Sequence, residues 1–288
     1  MKRKKFIKNV LLGSAASIAG AKVLKSSSTY DKLIDQVGFN HLPNHEIKNE
    51  NMKTVLHKAT TRGHANHGWL DSHHSFSFAN YYNPERMNFG VLRVLNDDVV
   101  QGGKGFGTHP HDNMEIISIP IEGDLEHKDS MSNVATIKEG DVQVMSAGTG
   151  IKHSEYNRNK DHAVKFLQIW MFPNKKNVVP RYDQITLDQE ELKDKLCQIL
   201  SPSKDDAGVW VHQNAWFSMG KLSKGWSDKY KVKAAANGLY AFVIDGTVEI
   251  TGQKLEKRDG FGIWDTEEVD IVAVTDAHIL LMDVPMTI

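Results

Sequence analysis

The sequence predicts an all-β protein in which one barrel or sandwich occurs twice. From Val55 onward, short runs rich in β-branched and aromatic residues recur, such as Phe89-Gly90-Val91-Leu92-Arg93-Val94, Glu115-Ile116-Ile117-Ser118-Ile119 and Phe166-Leu167-Gln168-Ile169-Trp170. Glycine, asparagine and aspartate punctuate them at short intervals, the pattern of strands joined by tight turns. A strand–glycine turn–strand–glycine turn unit also occurs twice. Ile121-Glu122-Gly123-Asp124 with Lys138-Glu139-Gly140-Asp141 returns as Ile244-Asp245-Gly246-Thr247 with Arg258-Asp259-Gly260-Phe261, about 120 residues later. A solenoid would repeat every ~20–50 residues, so this period indicates a duplicated domain. Only residues 188–196 look helical, and they form at most a short connection between the two copies.

Four segments follow from this reading. Residues 1–21 carry a basic head (Lys2, Arg3, Lys4, Lys5), an apolar run from Val10 to Ala21 and a small-residue cleavage site, Ala19-Gly20-Ala21. That is the layout of an export signal, and the Arg3-Lys4-Lys5 start is like a twin-arginine signal with lysine in second place. The run is shorter than the ~20 apolar residues a membrane span needs, so no stable span is expected in the mature form. The alternative is a basic N-terminal helix on a cytoplasmic protein. Residues 22–54 are polar and without period, and read as a linker. Residues 55–180 and 181–288 are the two β domains, with the boundary near the stretch from Pro180 to Pro202.

Composition narrows the chemistry. The formal net charge is −1 and no basic stripe follows the first few residues, which argues against nucleic acid as a partner. The single cysteine, Cys197, excludes an intramolecular disulfide and any cysteine-based zinc site. A metal ion would have to sit on imidazole and carboxylate, and the chain has 14 histidines.

Two of these occur as His109-Pro110-His111, after the glycines Gly103, Gly105 and Gly107. Alternate strand residues share a face, so both rings can aim at one point. His153-Ser154-Glu155, after Gly148 and Gly150, repeats the spacing on a second strand. If the strands are neighbours, three imidazoles and one carboxylate converge, a set that suits Fe(II), Mn, Ni or Zn with open positions. Glu115 shares strand parity with His109 and His111, and parity alone does not choose between Glu115 and Glu155 as the carboxylate. His127, after the Gly123 turn, reads either as a strand residue facing the cavity or as plain structure. His57, His64, His67, His73 and His74 are irregularly spaced without a carboxylate pattern, which favours hydrogen bonding or pocket lining over a second metal. Trp170 reads as packing.

The two glycine-led strands match the two cupin signatures, and the resemblance is closer than that. Arg62-Gly63-His64, Gly68-Trp69-Leu70, Ser75-Phe76-Ser77-Phe78-Ala79-Asn80-Tyr81-Tyr82, His109-Pro110-His111 and Met145-Ser146-Ala147-Gly148-Thr149-Gly150-Ile151-Lys152-His153-Ser154-Glu155 resemble the pirin family, over residues 56–285. The similarity is greatest to bacterial pirin-like proteins described as quercetin 2,3-dioxygenases. The resemblance implies a bicupin of two packed jelly-roll barrels. It implies one divalent metal, usually iron as Fe(II), with Mn, Ni, Zn or Cu as alternatives, on His109, His111, His153 and Glu155. Glu115 and His127 are then candidates for supporting contacts around the metal. The second copy, with Gly238-Leu239-Tyr240-Ala241 at the matching place, is expected to hold no metal. The implied activity is cleavage of the heterocyclic ring of a flavonol with O2, by a monomer, with Glu155 as general base. Two other readings stay open: a non-enzymatic, iron-dependent redox-sensing regulator, and a hydrolase or isomerase using the same ligands.

Overall fold

The computed structural model describes residues 51–288. The expected export signal and all but the last residues of the linker lie outside them. In the first half the strands are β1 (Lys53–His57), β2 (Gly63–Asn66), β3 (Leu70–His74), β4 (Leu92–Val100), β5 (Gly105–His111), β6 (Glu115–Glu122), β7 (Leu125–Asp129), β8 (Val134–Ile137), β9 (Asp141–Ser146), β10 (Ile151–Asn157), β11 (Val164–Met171) and β12 (Arg181–Thr186). The second half adds β13 (Cys197–Ser201), β14 (Val209–Trp210), β15 (Trp216–Leu222), β16 (Ser227–Lys231), β17 (Asn237–Asp245), β18 (Thr247–Ile250), β19 (Gln253–Glu256), β20 (Gly260–Trp264), β21 (Glu268–Ala273) and β22 (Ala277–Pro285). Among the described residues no helix is long and apolar enough to cross a membrane.

The strands form four sheets, and the strand order of one half repeats in the other. A seven-stranded sheet β12-β9-β6-β11-β4-β3-β2 is matched by β1-β20-β17-β22-β15-β13-β14, and a four-stranded sheet β5-β10-β7-β8 by β16-β21-β18-β19. In each half the large and small sheets pack face to face as a jelly roll. The two large sheets also pack on each other. Ile117, Ile119, Val144, Leu167 and Ile169 meet Phe217, Met219, Tyr240, Phe242, Leu280 and Met282 in one core. Strand β11 shows why its sequence reads as a continuous apolar run. Leu167 and Ile169 face the partner barrel, while Phe166 lies in a core inside its own barrel. Both faces are buried, so period-2 alternation is lost.

Two expectations need correction. Residues 188–196 are turns, not helix: the Asp188 carboxylate accepts a hydrogen bond from Glu190 N, and Asp194 sits at φ 51°. So short a segment cannot offset the cost of helix nucleation, and Leu192 is instead used as a plug in the inter-barrel core. The domain limits also do not follow sheet membership. Strand β1 begins at Lys53, within the expected linker, and pairs with β20 of the C-terminal barrel through Val55 opposite Gly262. Strand β12, placed by sequence in the second domain, pairs with β9 of the first through Asp183 opposite Val144. Strand β1 thus covers an edge of the C-terminal sheet and β12 an edge of the N-terminal sheet, edges that would otherwise expose unpaired backbone.

Candidate metal centre

Strand β10 lies between β5 and β7 in the small N-terminal sheet. His153 is paired with His109 on one side and Asp129 on the other, and Ile151 with His111. The glycines before His109 do more than turn the chain. A Cβ on Gly105 would stand 2.2 Å from the carbonyl oxygen of Glu155, so only glycine lets β5 approach β10 this closely.

The pairing gathers three imidazoles. Ring centroids of His109, His111 and His153 are 4.5–4.9 Å apart. One ring nitrogen from each lies within 4.8 Å of the others. His153 is buried, whereas His109 and His111 are half-buried, which leaves one side of the cluster open to solvent. The proton positions suit a cation. The Nδ1 of His109 donates to the Gly107 carbonyl at 2.8 Å, which frees Nε2 to ligate. The Nε2 atoms of His111 and His153 are buried without a hydrogen-bond partner. Buried nitrogens are rarely left so, and three neutral imidazoles converging is a donor set for a divalent transition metal. Burial holds two of the rings neutral, the ligating form: it lowers His111 to about 4 and His153 to about 2, with neighbouring histidines adding to the effect.

Glu155 is buried in the same barrel, but its carboxylate lies outside this nitrogen cluster. It accepts from Gln168 Nε2 at 3.1 Å, and the Ser118 hydroxyl is also 3.1 Å away. The cause is a register shift between His153 and Glu155, which moves the β5 partner from His109 to Phe106. Burial pushes the Glu155 carboxyl above the usual carboxylate range, against the opposing pull of His127 and the Ser118 hydrogen bond.

His127 faces the cluster, and it brings a residue that sequence reading missed. His127 Nδ1 is 3.5 Å from His153 Nδ1, and its Nε2 is 3.2 Å from Asp129 Oδ2. If Asp129 accepts from Nε2–H, His127 Nδ1 accepts from His153, and the His153 Nε2 lone pair points to the cluster. Burial alone would raise the Asp129 carboxyl, but hydrogen bonds from Asn133, His127 and Met131 hold it below its usual value. The signal was there: His127-Lys128-Asp129 has the same alternate spacing as the two recognised pairs.

Glu115 does not reach the site. The chain turns through Asn113 at φ 45° between β5 and β6, which breaks the parity with His109 and His111. The Glu115 carboxylate faces the other barrel and accepts from Ser146 Oγ at 2.8 Å and His212 N at 3.2 Å. Trp170, by contrast, is more than packing. Its ring stands edge-on to His111 at 4.8 Å and to Phe78 at 5.4 Å, which forms an aromatic wall beside the cluster.

The comparisons with known proteins agree with this geometry. Residues 55–171 match the family described as Pirin, and residues 198–284 match the quercetinase C-terminal cupin domain. The chain is 45% identical over 230 residues to the quercetin 2,3-dioxygenase of Escherichia coli K12, covering 80% of this chain and 98% of that protein. It is 38% identical over 222 residues to a pirin-like protein of Caulobacter vibrioides, covering 77% of this chain and 95% of that one. The crystal structure of the bacterial pirin YhhW from Escherichia coli in complex with nickel(II) superposes with a TM-score of 0.77 at 43% identity, over 81% of this chain and 99% of that one. A matching N-terminal barrel, a matching C-terminal barrel and near-complete coverage of these relatives place this bicupin in the pirin family.

Proposed function

We propose that this chain is a metal-dependent dioxygenase that opens the heterocyclic ring of flavonols such as quercetin with O2. The observation that carries the reading is the three-histidine cluster, open on one side, with a buried carboxylate in the same barrel and the Trp170–Phe78 wall next to His111. The activity named for the Escherichia coli relative supports it. His109, His111 and His153 would hold the ion, with Glu155 as a fourth ligand after release from Gln168. Fe(II) is the ion we propose; the same imidazoles would accept Ni, which the Escherichia coli structure contains, and also Mn, Zn or Cu. A divalent ion there would supply Lewis acidity and lower the pKa of a substrate hydroxyl.

The protein's own residues do the rest. Trp170 and Phe78 offer a flat apolar surface to an aromatic ring. Glu155, with its basicity raised by burial, takes the proton of the flavonol hydroxyl, and the Ser118 hydroxyl holds the carboxylate for that transfer. The test is O2 consumption with quercetin by protein loaded in turn with Fe, Ni, Mn, Cu and Zn. Turnover in air and none under nitrogen is expected, and Glu155→Gln should lower it by about 10²-fold at matched metal occupancy. A hydrolase or isomerase would work equally well under nitrogen, and failure with every metal would rule out the dioxygenase reading. We also propose export, from the Lys2–Lys5 head and the apolar run after it. Native protein beginning at Met1 in the cytoplasmic fraction would count against it.

A further inference from the structure

The histidines between His57 and His74 have no ligand spacing along the chain, but the β2–β3 hairpin gives them one across strands. His64 and His73 are directly paired in antiparallel register. Their rings stack at 4.4 Å between centroids with 18° between planes. Asp71 lies two residues before His73 and therefore shares its face. Its Oδ1 is 2.8 Å from His64 Nε2 and 3.6 Å from His73 Nδ1. One nitrogen from each ring and one carboxylate oxygen lie within 4.8 Å of one another. Asn66 Nδ2 donates to the other carboxylate oxygen at 3.3 Å, which helps to orient it. The three side chains are 50%, 42% and 36% exposed, so a hydrated ion reaches them without opening the fold. They sit where β2 forms the outer edge of the large N-terminal sheet.

We propose that His64, Asp71 and His73 form a second metal site, separate from the barrel centre, that takes a divalent transition ion of the zinc class. Two imidazoles and a carboxylate are three protein donors of a known zinc set, with water completing the coordination. Bonds of ~2.0–2.2 Å around a tetrahedral ion put donor atoms about 3.3 Å apart. The two distances from Asp71 bracket that value, and the two imidazole nitrogens lie within 4.8 Å of each other. Arg62, two residues before His64, is engaged with Asp97 at 3.1 Å. An ion here would tie β2 to β3 at the sheet edge.

The test uses the full chain with its barrel metal in place, dialysed against Zn2+ up to about 100 µM. Zinc and the barrel metal are both counted, so exchange in the barrel is told apart from uptake. Wild type should take up one zinc beyond the barrel equivalent. His64→Ala and His73→Ala should each weaken that uptake at least tenfold, and Asp71→Asn less, with barrel metal unchanged in all three. Added zinc should raise the thermal midpoint of wild type but not of the His64→Ala/His73→Ala double variant. No extra zinc in wild type would overturn the proposal. So would an extra zinc retained in full by the double variant, because it would then sit on other residues.

Discussion

In the N-terminal barrel the small sheet β5-β10-β7-β8 presents His109, His111, His127, His153 and Glu155 around the site; in the C-terminal barrel the equivalent sheet β16-β21-β18-β19 presents Tyr230, Val248, Ile250, Leu255, Val269 and Ile271 to an apolar core. Backbone order is common to both, and chemistry is not. Function here belongs to the residues placed on the fold and not to the fold itself. Each apolar side chain buried in the second barrel adds roughly 1.5–3 kcal/mol of stabilisation. The first barrel replaces part of that with polar groups that need partners. Of eight buried side-chain atoms without a protein hydrogen bond among the described residues, six (on His74, Asn96, His111, Gln143, His153 and Trp170) belong to the N-terminal half. Three of those six, on His111, His153 and Trp170, lie at the three-histidine cluster, while the C-terminal barrel and the shared inter-barrel core are packed with apolar side chains.

That contrast is open to direct attack. The largest effect should come from His153→Ala, which removes the central imidazole. Metal content by elemental analysis should fall from about one ion per chain toward zero, since two half-exposed histidines remain. Retention of a full equivalent would show that the cluster is not the metal centre. In the other barrel, Ile271→Ala should cost about 2–5 kcal/mol in urea unfolding and leave metal content unchanged. In metal-free protein His153→Ala should cost less than Ile271→Ala, because one of the two buried nitrogens it deletes, Nε2, has no partner. The reverse order would mean that the N-terminal interior is as optimised for stability as its counterpart.

Smaller effects test the supporting residues. His127→Phe keeps the ring volume beside Tyr182 but cuts the link from Asp129 to His153. Metal affinity should drop about 10–100-fold. The urea midpoint of the metal-free protein should change little, which separates positioning from general loss of structure. Glu115→Gln should act through pH alone. Burial raises the Glu115 carboxyl from 4.5 to about 7, against hydrogen bonds from Ser146 and His212. A carboxyl raised on folding contributes stability that is full below about 4.5 and is lost as pH rises through about 7. Relative to wild type, the glutamine variant should therefore gain stability between those limits, by at most about 1.4 kcal/mol per pH unit, with no change in metal content. A stability difference independent of pH would show that Glu115 is ionised in both states.

The sequence by itself determined the all-β class, the duplication and the two ligand-bearing strands, because these depend on local geometry. The pleat forces alternate residues to one face, so His109 with His111, and His153 with Glu155, are legible wherever their strands go. The same rule would have found His127 with Asp129. It failed for Glu115, where one left-handed residue, Asn113, resets the parity. Which strands become neighbours was left to the tertiary structure. The pairing of His153 with His109 and Asp129, and of β1 with the far barrel, joins residues far apart in the chain, across segments that carry no pairing code. Those contacts are selected by burial summed over whole sheets, with both faces of the large sheets hidden from water, and no short stretch of sequence holds that sum.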